Sequence, residues 1–114
     1  MNVERARLRQ LQDMASLVLD SRSQKLRQEN AVKDALLRQL ADLEPRAADL
    51  GLLWSAQEQA QFAYQQWAAQ RRAVLNQQLA AQTALCLKAA EEGRQAFGKV
   101  HVLEVLTQRL PDRR

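Results

Sequence analysis

The chain has 114 residues, of which 46% are hydrophobic, 26% charged and 4% aromatic, and it carries three glycines and a net charge of +4. That length holds one domain, and the scarcity of aromatics argues against a β-sandwich or an α/β sheet, because strands favour aromatic and β-branched residues. The bias toward Ala, Gln, Leu and Arg is that of long helices and coiled coils.

Helix one is expected over residues 3–44. Its apolar positions recur at steps of three and four: Leu8, Leu11, Ala15, Val18, Leu26, Val32, Leu36, Leu40 and Leu43. This is heptad spacing. The stripe turns polar in the middle, at Arg22 and Glu29. Basic and acidic residues alternate along the helix, as on a solvated face. A nucleic-acid binder would gather its arginines on one face and interleave aromatics, so nucleic acid is not expected as a partner.

The only break falls at 45–52. Pro45 cannot continue the helical hydrogen-bond ladder and disfavours helical geometry at Glu44. Gly51 permits the left-handed conformation that a tight reversal uses. Helix two then runs over 53–109 and ends before Pro111. Its seam reads Leu53, Ala56, Ala60, Tyr64, Trp67, Arg71, Val74, Gln78, Ala81 and Leu85, with Leu75, Leu79, Cys86 and Ala89 as a flanking row. The fold class is therefore all-α, one domain over 1–114, with two long helices in an antiparallel coiled-coil hairpin.

A reversal centred near Ala48 sets a register. Leu43 faces Leu53, Leu36 faces Ala60, Val32 faces Tyr64, Ala15 faces Ala81 and Leu11 faces Leu85. Glu29 falls near Arg71, where an ion pair would fix register more than it would add stability. In this register Glu4 lies opposite Glu92, and everything from Gly93 onward overhangs helix one. Phe97, Val100, Leu103 and Leu106 then form an apolar stripe with nothing opposite it, which marks an interaction site. The alternative is that Gly93 and Gly98 let the segment bend back, or that a second copy covers it.

The chemistry of catalysis is missing. His101 is the only histidine and Cys86 the only cysteine, so neither a metal cluster nor an intrachain disulfide is expected. The glycines do not fit a phosphate loop. No serine has a histidine near it in sequence, and Glu91 and Glu92 are adjacent on a helix and point apart. No catalytic residue, cofactor or metal site is assigned. The N-terminus leads into no apolar region suited to a secretory signal, and apolar runs such as Leu17-Val18-Leu19 are far too short to span a bilayer. A cytoplasmic protein without membrane insertion is expected.

The aromatic-Gln-Gln-aromatic start Tyr64-Gln65-Gln66-Trp67, followed by Leu75, Leu79, Leu85 and the Leu-rich Leu103-Glu104-Val105-Leu106, resembles the flagellar export protein FliJ family. The similarity is diffuse over residues 5–110 and concentrated in 64–110. The resemblance implies a non-enzymatic stalk of the cytoplasmic type III export apparatus, flagellar or injectisome, with roles in flagellum biogenesis, protein transport and chemotaxis. It implies peripheral association with the inner-membrane apparatus. The partners it implies are the export ATPase ring, whose assembly and activity it promotes, the export gate membrane protein, and substrate chaperones. The family's gate-contact face maps to Trp67, Arg71, Val74 and Gln78, one helix stripe at i, i+4, i+7 and i+11. Arg71 and Gln78 depart from the family, which is apolar at most of these positions. The terminal end would enter the ATPase ring. The competing reading is a generic structural antiparallel coiled coil.

Overall fold

The computed structural model describes residues 2–43 and 54–110. All of these except Leu43 and Leu110 are helical. Helix α1 spans Asn2–Asp42 and helix α2 spans Trp54–Arg109. No glycine or proline falls within α1, and Glu4 in its first turn meets the positive end of the helix dipole. Arg109 stands in the last turn of α2, where the dipole favours a cation. The expected reversal at 45–52, with Pro45 and Gly51, lies outside the described residues, as does Leu53.

The chain groups into two compact units, each built from both helices. A middle unit comprises Asn30–Leu85, and a terminal unit comprises Met1–Glu29 with Cys86–Arg114.

In the middle unit Leu36, Leu43, Ala68 and Leu75 form a buried cluster, with Leu40, Tyr64 and Leu79 packed against it. Leu75 is its deepest member, 1% exposed. The Tyr64 hydroxyl donates to the Leu43 carbonyl at 2.9 Å. That carbonyl lies just past the end of α1, so the bond ties the end of one helix to a side chain of the other. Arg71 Nη2 donates to Gln39 Oε1 at 3.3 Å. The pairs 43 with 64 and 39 with 71 run in opposite senses, so the helices are antiparallel here.

In the terminal unit the buried residues are smaller: Cys86, Ala89 and Ala96. Arg22 Nη1 pairs with Glu92 Oε2 at 3.1 Å. Leu11 to Val18 on α1 shares a groove with Gln95 to Leu103 on α2. The helices are antiparallel in this unit too.

Two expectations are corrected. The first is the seam of α2. Its buried positions are Ala68, Leu75, Gln82, Cys86, Ala89 and Ala96, with Leu79 half-buried. Leu75, Leu79, Cys86 and Ala89, expected to flank the seam, form it. The expected seam residues Trp67, Val74 and Leu85 are exposed. On α1 the same error affects one of two heptad rows. Leu11, Val18 and Val32 are exposed, and the half-buried row is Gln12, Leu19, Leu26, Lys33 and Leu40. In both helices the seam passes one residue to the side of the most apolar choice.

The second correction is register. Tyr64 meets Leu43, not Val32, and Leu36 clusters with Ala68 and Leu75 instead of facing Ala60. Glu92 meets Arg22, not Glu4. Arg71, set against Glu29 by the expected register, donates to Gln39. The displacement is about three to five helical turns. Its cause is an asymmetry in the hairpin. α2 begins at Trp54, about three turns before the Tyr64 that meets the end of α1, so the helices are not paired symmetrically about Ala48.

Candidate partner-binding surfaces

The correction to register removes the overhang. Gln95, Ala96, Lys99, Val102 and Leu103 line a groove whose other wall is α1, so α2 beyond Gly93 has an internal partner. α2 also continues as a helix through both Gly93 and Gly98, so neither glycine bends it back. The stripe of Phe97, Val100, Leu103 and Leu106 divides. Val100 and Leu103 turn inward and are half-buried, whereas Phe97 and Leu106 are exposed. Three- and four-residue spacing alone identified a common face, but Val100 and Leu103 belong to the seam row that begins at Cys86 and Ala89.

Trp67, Arg71, Val74 and Gln78 are all exposed. They form one stripe of α2 immediately beside the buried row of Ala68 and Leu75. Trp67 is 54% exposed and Val74 44%, so the apolar members of the stripe are open to a partner. Tyr64 anchors the stripe. Its ring lies 5.7 Å from that of Trp67 at 43°, within the range of favourable tilted aromatic pairs. Tyr64 also donates to Leu43, so the ring beside Trp67 is tied to the end of α1. A small hollow of about 220 Å³ opens beside it, lined by Gln39, Asp42, Leu43, Tyr64, Arg71 and Leu75 among others. Arg71 is held by Gln39 across this hollow.

A second surface was not foreseen. In the terminal unit a groove of about 690 Å³ runs between Leu11, Met14, Ala15 and Val18 on one wall and Gln95 to Leu103 on the other. Leu11, Met14, Val18 and Val102 are exposed within it. Its floor includes Gly98, where an added Cβ would meet nothing within 4 Å. The sequence signal for it was the second apolar row of α1, which the heptad reading had assigned to the seam.

The carboxylates at 91 and 92 engage different partners. Glu91 accepts from Arg94 Nη2 at 2.6 Å and from its Nε at 3.1 Å, and Glu92 accepts from Arg22. His101 is exposed. Among the described residues no group of three or more His, Cys, Asp or Glu is placed to hold a metal ion, and no helix is long and apolar enough to cross a membrane. Compared with protein-family models, with curated proteins and with solved structures, the chain finds no match.

Proposed function

We propose that the chain is a non-enzymatic stalk of a cytoplasmic type III export apparatus, promoting export ATPase assembly and activity and linking the ATPase to the export gate. The observation that supports this reading is the open stripe of Trp67, Arg71, Val74 and Gln78 on a helical hairpin. The position that the FliJ resemblance assigns to the gate contact is thus exposed, and its leading aromatic lies beside Tyr64. In this role the protein is cytoplasmic and peripheral to the inner membrane, and substrate chaperones are further partners.

The test is a pull-down with purified export ATPase and with the cytoplasmic domain of the export gate, together with ATPase rates. The wild-type chain is expected to bind both and to raise the ATPase rate. The Trp67→Ala/Val74→Ala double variant is expected to keep its helicity, since both side chains are exposed. Truncating a central aromatic anchor costs about 2 kcal/mol or more, which is about thirtyfold in gate affinity. Absence of binding to either protein would remove the export reading.

The structural coiled-coil reading has one observation of its own. Heptad rows account for the buried residues of both helices, and Arg71 and Gln78 make the proposed gate face more polar than the family's. Under that reading the wild-type chain captures neither ATPase nor gate, and the double variant changes nothing but surface polarity.

A further inference from the structure

We propose that the groove of the terminal unit is a docking site for one amphipathic helix of a partner protein, apolar on the face it buries and acidic along its margins. This inference rests on the groove and the charges around it, and is independent of the export reading.

The shape of the groove comes first. Leu11, Met14 and Val18 recur at i, i+3 and i+7 along one wall, with Gln95, Lys99 and Val102 at i, i+4 and i+7 along the other. Two antiparallel walls with helical spacing accept a third helix laid between them, read through anchors at the same spacing. The span from Leu11 to Val18 is about 10 Å, two helical turns. Val3 and Leu106, both exposed, extend the apolar stripe on either wall.

Gly98 supplies a second observation. Glycine within a helix is destabilising relative to alanine. Such a cost is commonly offset by close packing, yet a Cβ at Gly98 would touch nothing within the chain. The space above it is the groove itself, which leaves a place for the backbone of another helix to approach.

Charge decides the occupant. The terminal unit carries twelve lysines and arginines against eight acidic residues, and the middle unit five against five, so the whole net charge of +4 resides in the terminal unit. Lys99 lines the groove. Arg7 and Lys25 continue the α1 wall at helical spacing from Met14 and Val18, and Lys88 continues the α2 wall. All four are exposed, and among the described residues none of them makes an ion pair. Of the nearby carboxylates, Glu91 and Glu92 are held by Arg94 and Arg22, and Glu4, exposed seven residues before Leu11, is outnumbered by the four cations. An apolar groove with one lysine in its lining and further unpaired cations beyond its ends, in a unit of net charge +4, favours an acidic helix and repels a second copy of the same unit.

The probes are two fluorescein-labelled, lactam-stapled peptides of 18 residues. One has leucines at i, i+3 and i+7 flanked by glutamates, and the other has lysine in place of each glutamate. With the intact chain, anisotropy should show the Glu peptide binding at least about tenfold tighter than the Lys peptide, with affinity falling as salt rises. Gly98→Gln fills the groove with a better helix former. It should raise the melting temperature while weakening Glu-peptide binding by about tenfold or more. Met14→Gln, at an exposed position, should weaken binding without altering helicity. Lys88→Glu/Lys99→Glu should shift preference toward the Lys peptide. Equal binding of the two peptides, no binding, or binding indifferent to both Gly98→Gln and Met14→Gln would overturn the proposal. So would a doubling of mass in sedimentation equilibrium that Gly98→Gln abolishes, which assigns the groove to a second copy. Binding to phosphatidylcholine/phosphatidylglycerol vesicles that Gly98→Gln abolishes, with no peptide discrimination, would overturn it in favour of a lipid surface.

Discussion

The middle and terminal units use the same two helices and the same heptad step, and both expose large apolar residues, yet they close their seams with residues of different size. The middle unit turns leucines inward: Leu36, Leu43 and Leu75 are buried, with Tyr64 fixing the end of α1. The terminal unit is closed by Cys86, Ala89 and Ala96. Its larger side chains Leu11, Met14, Leu17, Leu87, Phe97 and Leu106 stay exposed. The middle unit is electrically neutral, and the terminal unit carries the net charge. Small seam residues give few atoms to bury, so the terminal unit gains less from its own seam and keeps more surface for others. One heptad pattern can therefore carry a seam closed by leucines in one unit and by small residues in the other. The difference lies in which row receives the bulk.

The largest expected effect tests that division directly. Leu75→Ala removes the most buried side chain of the middle unit and should cost about 2–5 kcal/mol, read by urea unfolding followed by circular dichroism. Leu106→Ala removes a side chain of the same type from the exposed face of the terminal unit and should stay within about 0.5 kcal/mol. Comparable losses at the two positions would show that Leu106 is covered in solution and would end the contrast.

Tyr64→Phe comes next. It keeps the ring beside Trp67 and removes only the hydroxyl that donates to Leu43. A loss of about 0.5–1.5 kcal/mol is expected, with hydrogen exchange accelerated first at the end of α1. No change in either reading would make the bond incidental and leave the leucine cluster alone to hold the unit.

The smallest effect belongs to Arg22→Ala. Its pair with Glu92 is partly exposed, and such pairs contribute about 0–1 kcal/mol. The loss should fade in high salt. A salt-independent loss would mean that the Arg22 stem covers apolar surface in the terminal unit, giving this half a packing role beyond its small seam.

The fold class was legible because it follows from what the chain lacks. With no glycine or proline from Asn2 to Leu43, and apolar residues at steps of three and four, few architectures remain besides paired helices. The seam was legible only to within one position. Trp67 and Val74 are more apolar than Ala68 and nearly as apolar as Leu75, and periodicity alone cannot tell which of two adjacent rows faces inward. The expected α2 row was the one that continues from Tyr64 through Trp67, and it is the row beside it, through Ala68 and Leu75, that faces inward. The exposure of the expected row leaves Trp67, Arg71, Val74 and Gln78 available for contact. Register was illegible for a different reason. Pro45 and Gly51 mark where the helix is interrupted, but not how many turns of α2 precede its first contact with α1. The groove of the terminal unit depends on register, so it could not be seen until Glu92 was placed beside Arg22.

Cys86 lies buried in the seam, at the first residue of the α2 segment of the terminal unit. It is the chain's only thiol. A thiol in that position reacts with a bulky reagent only when the seam around it parts, so its labelling rate reports the opening equilibrium of that stretch rather than global unfolding. The protein thus carries a native clock for the local breathing of its small-residue seam. Because no second cysteine exists to capture it, that clock can be read without competition from an internal disulfide.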